Sequence, residues 1–172
     1  MPRTIAQNCA VCGASAFIEL IKDPAGTYWP AHSGHGFEGV HVCLNRACLE
    51  SLEKGESLPH KVDGFLLGKV KKSISMARKS GHIIVGQDEV DLAFKSGRGV
   101  ALVIIAENAG SSVQRLSQKW AEKLDVFHLL DKDALGECLG FGECSVLGLS
   151  FKAKSARTEI RRYVKWQQTQ KR

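Results

Sequence analysis

The sequence predicts two domains of different class: a small cysteine-rich α+β domain over residues 1–60, then an α/β layered domain over residues 61–172. Three observations carry this expectation. Cysteines in two short pairs occupy the first 60 residues, where large apolar side chains are few and a core is hard to build. From Gly64 onward helical and strand-like periods alternate, the pattern of a sheet with helices on both faces. Between the two, Gly55–Pro59 reads as a linker.

Each element follows from a local signal. Phe17–Ile21 and Val40–Cys43 are strand-like, and Ala47–Lys54 has the composition of a short helix. Leu66, Leu67, Val70, Ile74 and Ala77 recur at helical spacing with lysines between them, and Gly81 stops that helix. Residues 82–85 form a short strand ending at Gly86. Asp88 and Glu89 then open a helix over 88–96, where their charge suits the N-terminal dipole. The apolar run 100–106 is a buried strand. Ser111, with Gln114 three residues later, reads as a capping box for a helix over 111–124. Val126–Leu129 is a strand, Asp131 caps a helix over 132–139, and Ser145–Leu149 is the last strand. In the tail, 152–166, Ala153, Ala156, Ile160, Tyr163 and Val164 share one helical face.

No apolar stretch is long enough for a membrane span. The start lacks the charged and apolar regions of a secretory signal, so a cytoplasmic protein with reduced thiols is expected. Six cysteines then point to metal binding or apolar packing rather than disulfides. No phosphate-binding Gly-rich loop with Gly-Lys-Ser/Thr occurs, and no nucleophile–base pairing stands out. An enzyme with a small-molecule substrate is therefore not expected.

Charge is unevenly distributed. Residues 1–60 hold 4 Lys/Arg against 6 Asp/Glu, residues 61–150 hold 12 against 11, and residues 151–172 hold 8 against 1. Within the middle segment Lys61, Lys69, Lys71, Lys72, Arg78 and Lys79 are opposed only by Asp63 over residues 61–79. Two basic segments suit a polyanion, RNA above all. The plainer alternative is a pair of solvated helix faces. On the tail, Lys152, Lys154, Arg157, Arg161, Arg162 and Lys165 line the polar side, and Tyr163 and Trp166 are candidates for stacking on bases.

Cys9 and Cys12 form C-x2-C, and Cys43 and Cys48 form C-x4-C. Each short pair supplies two soft ligands, and four thiolates close a tetrahedron around a structural zinc with no position left for substrate. Cys138 and Cys144 read as core packing. His32, His35 and His41 are weaker alternatives as ligands.

In the second domain, Gly86-Gln-Asp-Glu89, then Val100-Ala-Leu-Val-Ile-Ile-Ala-Glu-Asn108, then Leu135-Gly-Glu-Cys-Leu-Gly140 and a final strand resemble the L-seven-Ae superfamily and its bacterial YlxQ relatives. The resemblance covers about residues 64–165. It implies an α/β/α sandwich that inserts a glycine-led helix start into kink-turn or ribosomal RNA. It assigns RNA contact to Gly86, Gln87, Asp88 and Glu89 and to the loop that includes Leu139, Gly140 and Phe141. Two departures matter: the family usually has asparagine at the Asp88 position and lysine at the Leu92 position. An added anion and a lost cation weaken phosphate binding. Lys95, Arg98 and the basic helix with Lys69, Lys71, Lys72, Arg78 and Lys79 are the compensating cations. The first domain resembles YlxR in its opening C-x2-C, in Phe17–Gly26 and in Val42-Cys43. Its negative balance, and Glu38 where the family has arginine, point instead to zinc-stabilised structure or a protein partner. The expectation is a non-enzymatic RNA-binding protein of the translation machinery; the alternative is a protein-interaction adaptor without RNA contact.

Overall fold

A computed structural model describes residues 8–31, 39–53, 57–97 and 99–170. It is a mixed α/β protein with six helices and two sheets among the described residues. The elements are β1 (Ile18–Lys22), β2 (Tyr28–Ala31), β3 (Gly39–Val42), α1 (Arg46–Leu52), α2 (Ser57–Lys79), β4 (Ile83–Val85), α3 (Gln87–Lys95), β5 (Val100–Ile105), α4 (Ser111–Ala121), β6 (Asp125–His128), α5 (Lys132–Leu139), β7 (Val146–Ser150) and α6 (Lys154–Gln170). They form two compact units: Met1–Leu67 with Arg162–Arg172, and Gly68–Arg161. The division falls inside α2 and again inside α6. The expected linker is in part helix, because Ser57, Leu58 and Pro59 open α2. Pro59 is tolerated there because the first turn of a helix leaves its N–H groups without intrahelical partners.

The first unit holds a three-stranded antiparallel sheet in the order β2-β1-β3. β1 alternates as a half-buried strand should: Ile18 and Leu20 are buried, and Glu19 and Ile21 on the opposite face are half-buried. Strand β2 has no counterpart in the sequence reading. It contains Pro30, which removes a ladder donor, and it is an edge strand, where that loss is tolerated. Leu20, Val42, Leu44, Leu49, Leu58, Val62 and Leu66 make the apolar interior, together with Trp166 from the end of α6. The Trp166 indole Nε1 donates to Asp63 Oδ1 at 2.9 Å. This corrects the reading of Tyr163 and Trp166 as stacking groups: both are buried. Helix α6 also runs four residues beyond the expected end at 166.

The second unit is built on a four-stranded mixed sheet in the order β4-β7-β5-β6. β5 pairs antiparallel with β7 and parallel with β6. All six residues of β5 are buried, as a central strand covered on both faces requires. On one face Val103, Ile105 and Val146 pack with Val90 and Ala93 of α3 and Val113 and Trp120 of α4. On the other, Leu102, Ile104, Leu147 and Leu149 are equally buried. Val70, Ile74 and Ala77 of α2, Leu135, Cys138 and Leu139 of α5 and Ala156 and Ile160 of α6 are the other buried apolar residues of this unit's helices. The Asp131 cap forms as expected, its carboxylate accepting from Ala134 N at 2.7 Å. The capping box does not: Gly110 is the N-cap of α4, and Ser111 is already inside the helix. The backbone of Gly110 accepts from Val113 and Gln114, and no side chain caps that end.

Candidate functional site

One end of the second sheet gathers four loops. Val85 at the end of β4 pairs with Leu147, and Ile105 at the end of β5 pairs with Val146, so both strands finish where β7 begins. His128 at the end of β6 pairs with Ile105 and finishes there too. Gly86, the segments 106–110 and 129–131, and the loop 140–145 therefore meet at one edge. This convergence depends on β7 inserting between β4 and β5, which no local sequence pattern announces.

Gly86 turns the chain from β4 into α3. Its N–H donates to Val146 O at 3.0 Å, and its carbonyl accepts the first helical bond, from Val90. It holds φ 100 and ψ 150, a conformation open in practice to glycine alone. No side chain caps α3. Its first turn presents free backbone donors, which attract an acceptor-rich ligand. Asp88 and Glu89 in that turn are exposed, and Gln87 is half-buried. Ser112 Oγ donates to Gln87 Oε1 at 3.2 Å, which sets the starts of α3 and α4 side by side.

Across the same edge, α5 ends at Gly140 in the left-handed region, φ 66 and ψ 33. Phe141 N donates to Gly136 O at 3.2 Å. A Cβ at Gly136 would stand 1.6 Å from Gly142 O, so the loop lies directly on the helix backbone. Phe141 is 43% exposed, and the Arg78 guanidinium stands 5.1 Å from its ring centroid. Arg78, Lys79 and Gly140 line one cleft with Ser75, Glu137 and Cys138.

The predicted RNA-contacting residues thus fall into separate groups. Gly86, Gln87, Asp88, Glu89, Gly140 and Phe141 belong to the loop edge, and Arg78 reaches it. Lys71 with Arg78, and Lys72 with Lys79, lie two turns apart along α2 and make a basic stripe; Lys69 is half-buried. Lys95 forms an ion pair with Asp91 in the next turn back, so it serves α3 itself. Leu139 is a correction: it is fully buried and belongs to the core. Its position next to the loop in sequence hides that it is the last inward-facing residue of α5. Arg98 lies outside the described residues, as do His32, His35 and Glu38. Sequence reading missed Ser112 and Asn108, whose Oδ1 accepts from Lys132 N at 2.9 Å. Both act only through residues distant in the chain.

In the first unit Cys9, Cys12, Cys43 and Cys48 converge, with all four sulfurs within 4.8 Å of one another. The Cys12 and Cys43 sulfurs are 3.6 Å apart. A tetrahedral ion with metal–sulfur bonds of about 2.3 Å needs sulfurs about 3.8 Å apart, so the cluster fits a four-thiolate metal site. The first pair is shaped by a tight turn. Cys9 N donates to Ala14 O, Gly13 N donates to Cys9 O, and Gly13 has φ 73. The second pair brackets the start of α1, where Asn45 caps Ala47 N and Cys48 N donates to Asn45 O. His41 is not in the cluster, and no other metal-type group occurs among the described residues. Cys138 and Cys144 are buried singly, as core packing predicts.

The thiols are electrostatically unequal. Burial raises the Cys9 pKa, but hydrogen bonds from the backbone at Cys43, Cys12 and Val11 outweigh it and bring it down to about 6. Burial, then the neighbouring Cys43 and Cys12, push Cys48 well above the ordinary thiol value, and burial likewise raises Cys43. Four thiols this close cannot all ionise without a cation among them. That is the condition a bound metal removes.

Fold and sites together describe a mixed α/β protein with a glycine-led loop edge and a four-cysteine cluster. No protein-family model matches the chain, and no curated protein does. Among solved structures it is similar to a protein of unknown function from Bacillus halodurans, with TM-score 0.51 and 24% identity over 55% of this chain and 96% of that one. That likeness extends to the fold. The Giardia lamblia 15.5kD RNA binding protein matches at TM-score 0.49 and 16% identity, over 61% of this chain and 90% of that one. This second likeness is too distant to bear on function. No helix among the described residues is long and apolar enough to cross a membrane.

Proposed function

We propose that this chain is a non-enzymatic RNA-binding protein that recognises structured RNA, of kink-turn or ribosomal type, at the loop edge of the second unit. The observation that carries the reading is the meeting of an uncapped, glycine-led helix start with an exposed, arginine-backed phenylalanine. The α3 donors and Glu89 are suited to a distorted base pair: a carboxylate accepts from the amino and imino groups of guanine. Phe141 offers a ring for an unstacked base, with Arg78 above it for the adjoining phosphate. The basic stripe of α2 supplies sequence-independent attraction. In this reading the second unit is L-seven-Ae-like and akin to YlxQ, and the first is a YlxR-like accessory domain stabilised by zinc. Zinc fits the all-thiolate donor set and the closed geometry.

The test is binding of a kink-turn duplex and of a straight duplex of equal length. A preference for the kink-turn that is lost in Glu89→Ala is expected. Equal affinity of wild type and Glu89→Ala would sink the proposed contact. Metal analysis of purified protein, expected to give one zinc per chain, checks the cluster.

A further inference from the structure

We infer that the first unit carries a second nucleic-acid site, a groove that takes an unpaired nucleotide strand against Phe17. The inference does not need the loop edge of the second unit. Only the identification of the strand as RNA rests on that reading.

The groove lies wholly within the first unit, because the end of α6 belongs to that unit. Ala14, Ser15, Phe17, Leu44 and Asn45 line it together with Lys165, Gln168 and Thr169 of α6. Phe17 is 37% exposed, unusual for a phenylalanine in a unit so short of core. Its backbone is fixed to the sheet, Phe17 N donating to Val42 O at 2.9 Å. Lys165 Nζ stands 4.4 Å from the ring centroid. A rigid exposed ring beside a cation is the pairing that binds a base and its phosphate together. The surrounding Asn45, Gln168, Ser15 and Thr169 carry both donors and acceptors, and no carboxylate lines the groove. Cys43 also lines it. A tetrathiolate site there is negative, so the base belongs against Phe17 and Leu44 and the phosphate at the Lys165 end.

Charge favours the same occupant. Residues 1–67 carry 5 Lys/Arg against 7 Asp/Glu, and residues 162–172 carry 4 Lys/Arg and no acid. The completed unit is therefore +2 with its thiols neutral and uncharged once a divalent metal holds four thiolates, and its positive charge lies on the α6 segment that lines the groove. The balance of residues 1–60 alone leaves out this cationic segment. The chain also treats its other exposed rings alike. Trp29 has Lys61 at 4.5 Å, Phe141 has Arg78 at 5.1 Å and Phe151 has Arg157 at 5.7 Å. Every exposed aromatic ring among the described residues has a cation beside it. Among these four, Phe17 lines a groove in the first unit together with polar groups from both the N-terminal segment and α6.

The experiment uses the full metal-loaded chain with a labelled short oligouridylate and the matching oligothymidylate. Phe17→Ala is expected to lower affinity for both about tenfold, and Phe17→Trp to restore it. Lys165→Gln should reduce the slope of log affinity against log salt by about 0.7. Phe17→Ala should leave the kink-turn preference of the loop edge unchanged, so a failure here is distinguishable from a failure at that edge, which the kink-turn duplex reports. Wild-type protein that binds neither oligomer would overturn the inference, as would undiminished binding by Phe17→Ala with its metal content intact. Should Phe17→Ala lose its metal and fold, Lys165→Gln decides, and an unaltered salt slope overturns the proposal.

Discussion

The two units are held together by different means. The second has a continuous apolar interior: a fully buried β5, Trp120 at the centre of one face, and helix residues packed to zero exposure. The first has a short three-stranded sheet, one small helix and the ends of two long helices, with four sulfurs converging where a larger domain has more side chains. A core stabilises by the area it removes from water, distributed over many residues. A metal cluster concentrates a comparable stabilisation in four side chains. If the cluster holds the proposed metal, the difference teaches where each unit is vulnerable: the first to loss of any single cysteine of the cluster, the second to cavities.

The sharpest way to break this comparison is to disable the proposed metal site. Cys48→Ala, or a strong chelator, should unfold the first unit and leave the second intact, because metal binding in small thiolate domains supplies on the order of 10 kcal/mol. Hydrogen exchange read separately over β1–β3 and β5–β7 checks this, and loss of protection in both units at once would contradict it. Next in size is Trp120→Ala. It empties a large, fully buried site and removes the indole donor to Asp91, and it should cost about 3–5 kcal/mol, confined to the second unit. Calorimetry with the metal site loaded would show one transition lowered and one unmoved.

Gly136→Ala is a smaller lesion with a directed effect. The loop at Gly142 must move off α5, at a cost of about 1–3 kcal/mol, and structured-RNA affinity should fall more than stability does. The oligouridylate should bind as before. The smallest effect concerns pH. The Lys95 ammonium, with Trp120 and Lys119 also beside it, holds the Asp91 carboxyl below the usual carboxylate range, against a raising effect of burial. A lowered folded-state value stabilises above the unfolded pKa and is lost as pH falls through the folded one. The second unit should therefore weaken slightly on acidification below about pH 4, and Asp91→Asn should flatten that limb of the stability curve.

How legible all this was in the sequence varied with the range of the cause. The strands and helices of the second unit follow from period and from punctuation by Gly81, Gly86 and Asp131, which act within a few residues. Strand β2 was hidden because Pro30 argues against a strand unless its edge position is known. The start of α2 was hidden because Gly55 and Pro59 look like breaks. The Ser111 box failed because Gly110 supplies the cap with its backbone. Of the site, the glycine turn and the cysteine pairs were readable, being local. That Arg78 meets Phe141, and that Leu139 turns inward, depends on strand order and helix phase together. The mistaken stacking role of Trp166 has the same origin: its partner is Asp63, 103 residues away.

That pairing bears on how the protein is made. The first unit takes a buried residue, Trp166, from the last turns of α6. A ribosome emits residues 1–67 first, yet their interior stays open until residue 166 has left the exit tunnel. Gly68–Arg161 has everything it needs sooner. The usual amino-to-carboxyl order of domain maturation is therefore inverted here. The cysteine-rich segment stays unfinished while residues 68–161 are made, its four thiols available to any soft metal until the end of α6 follows.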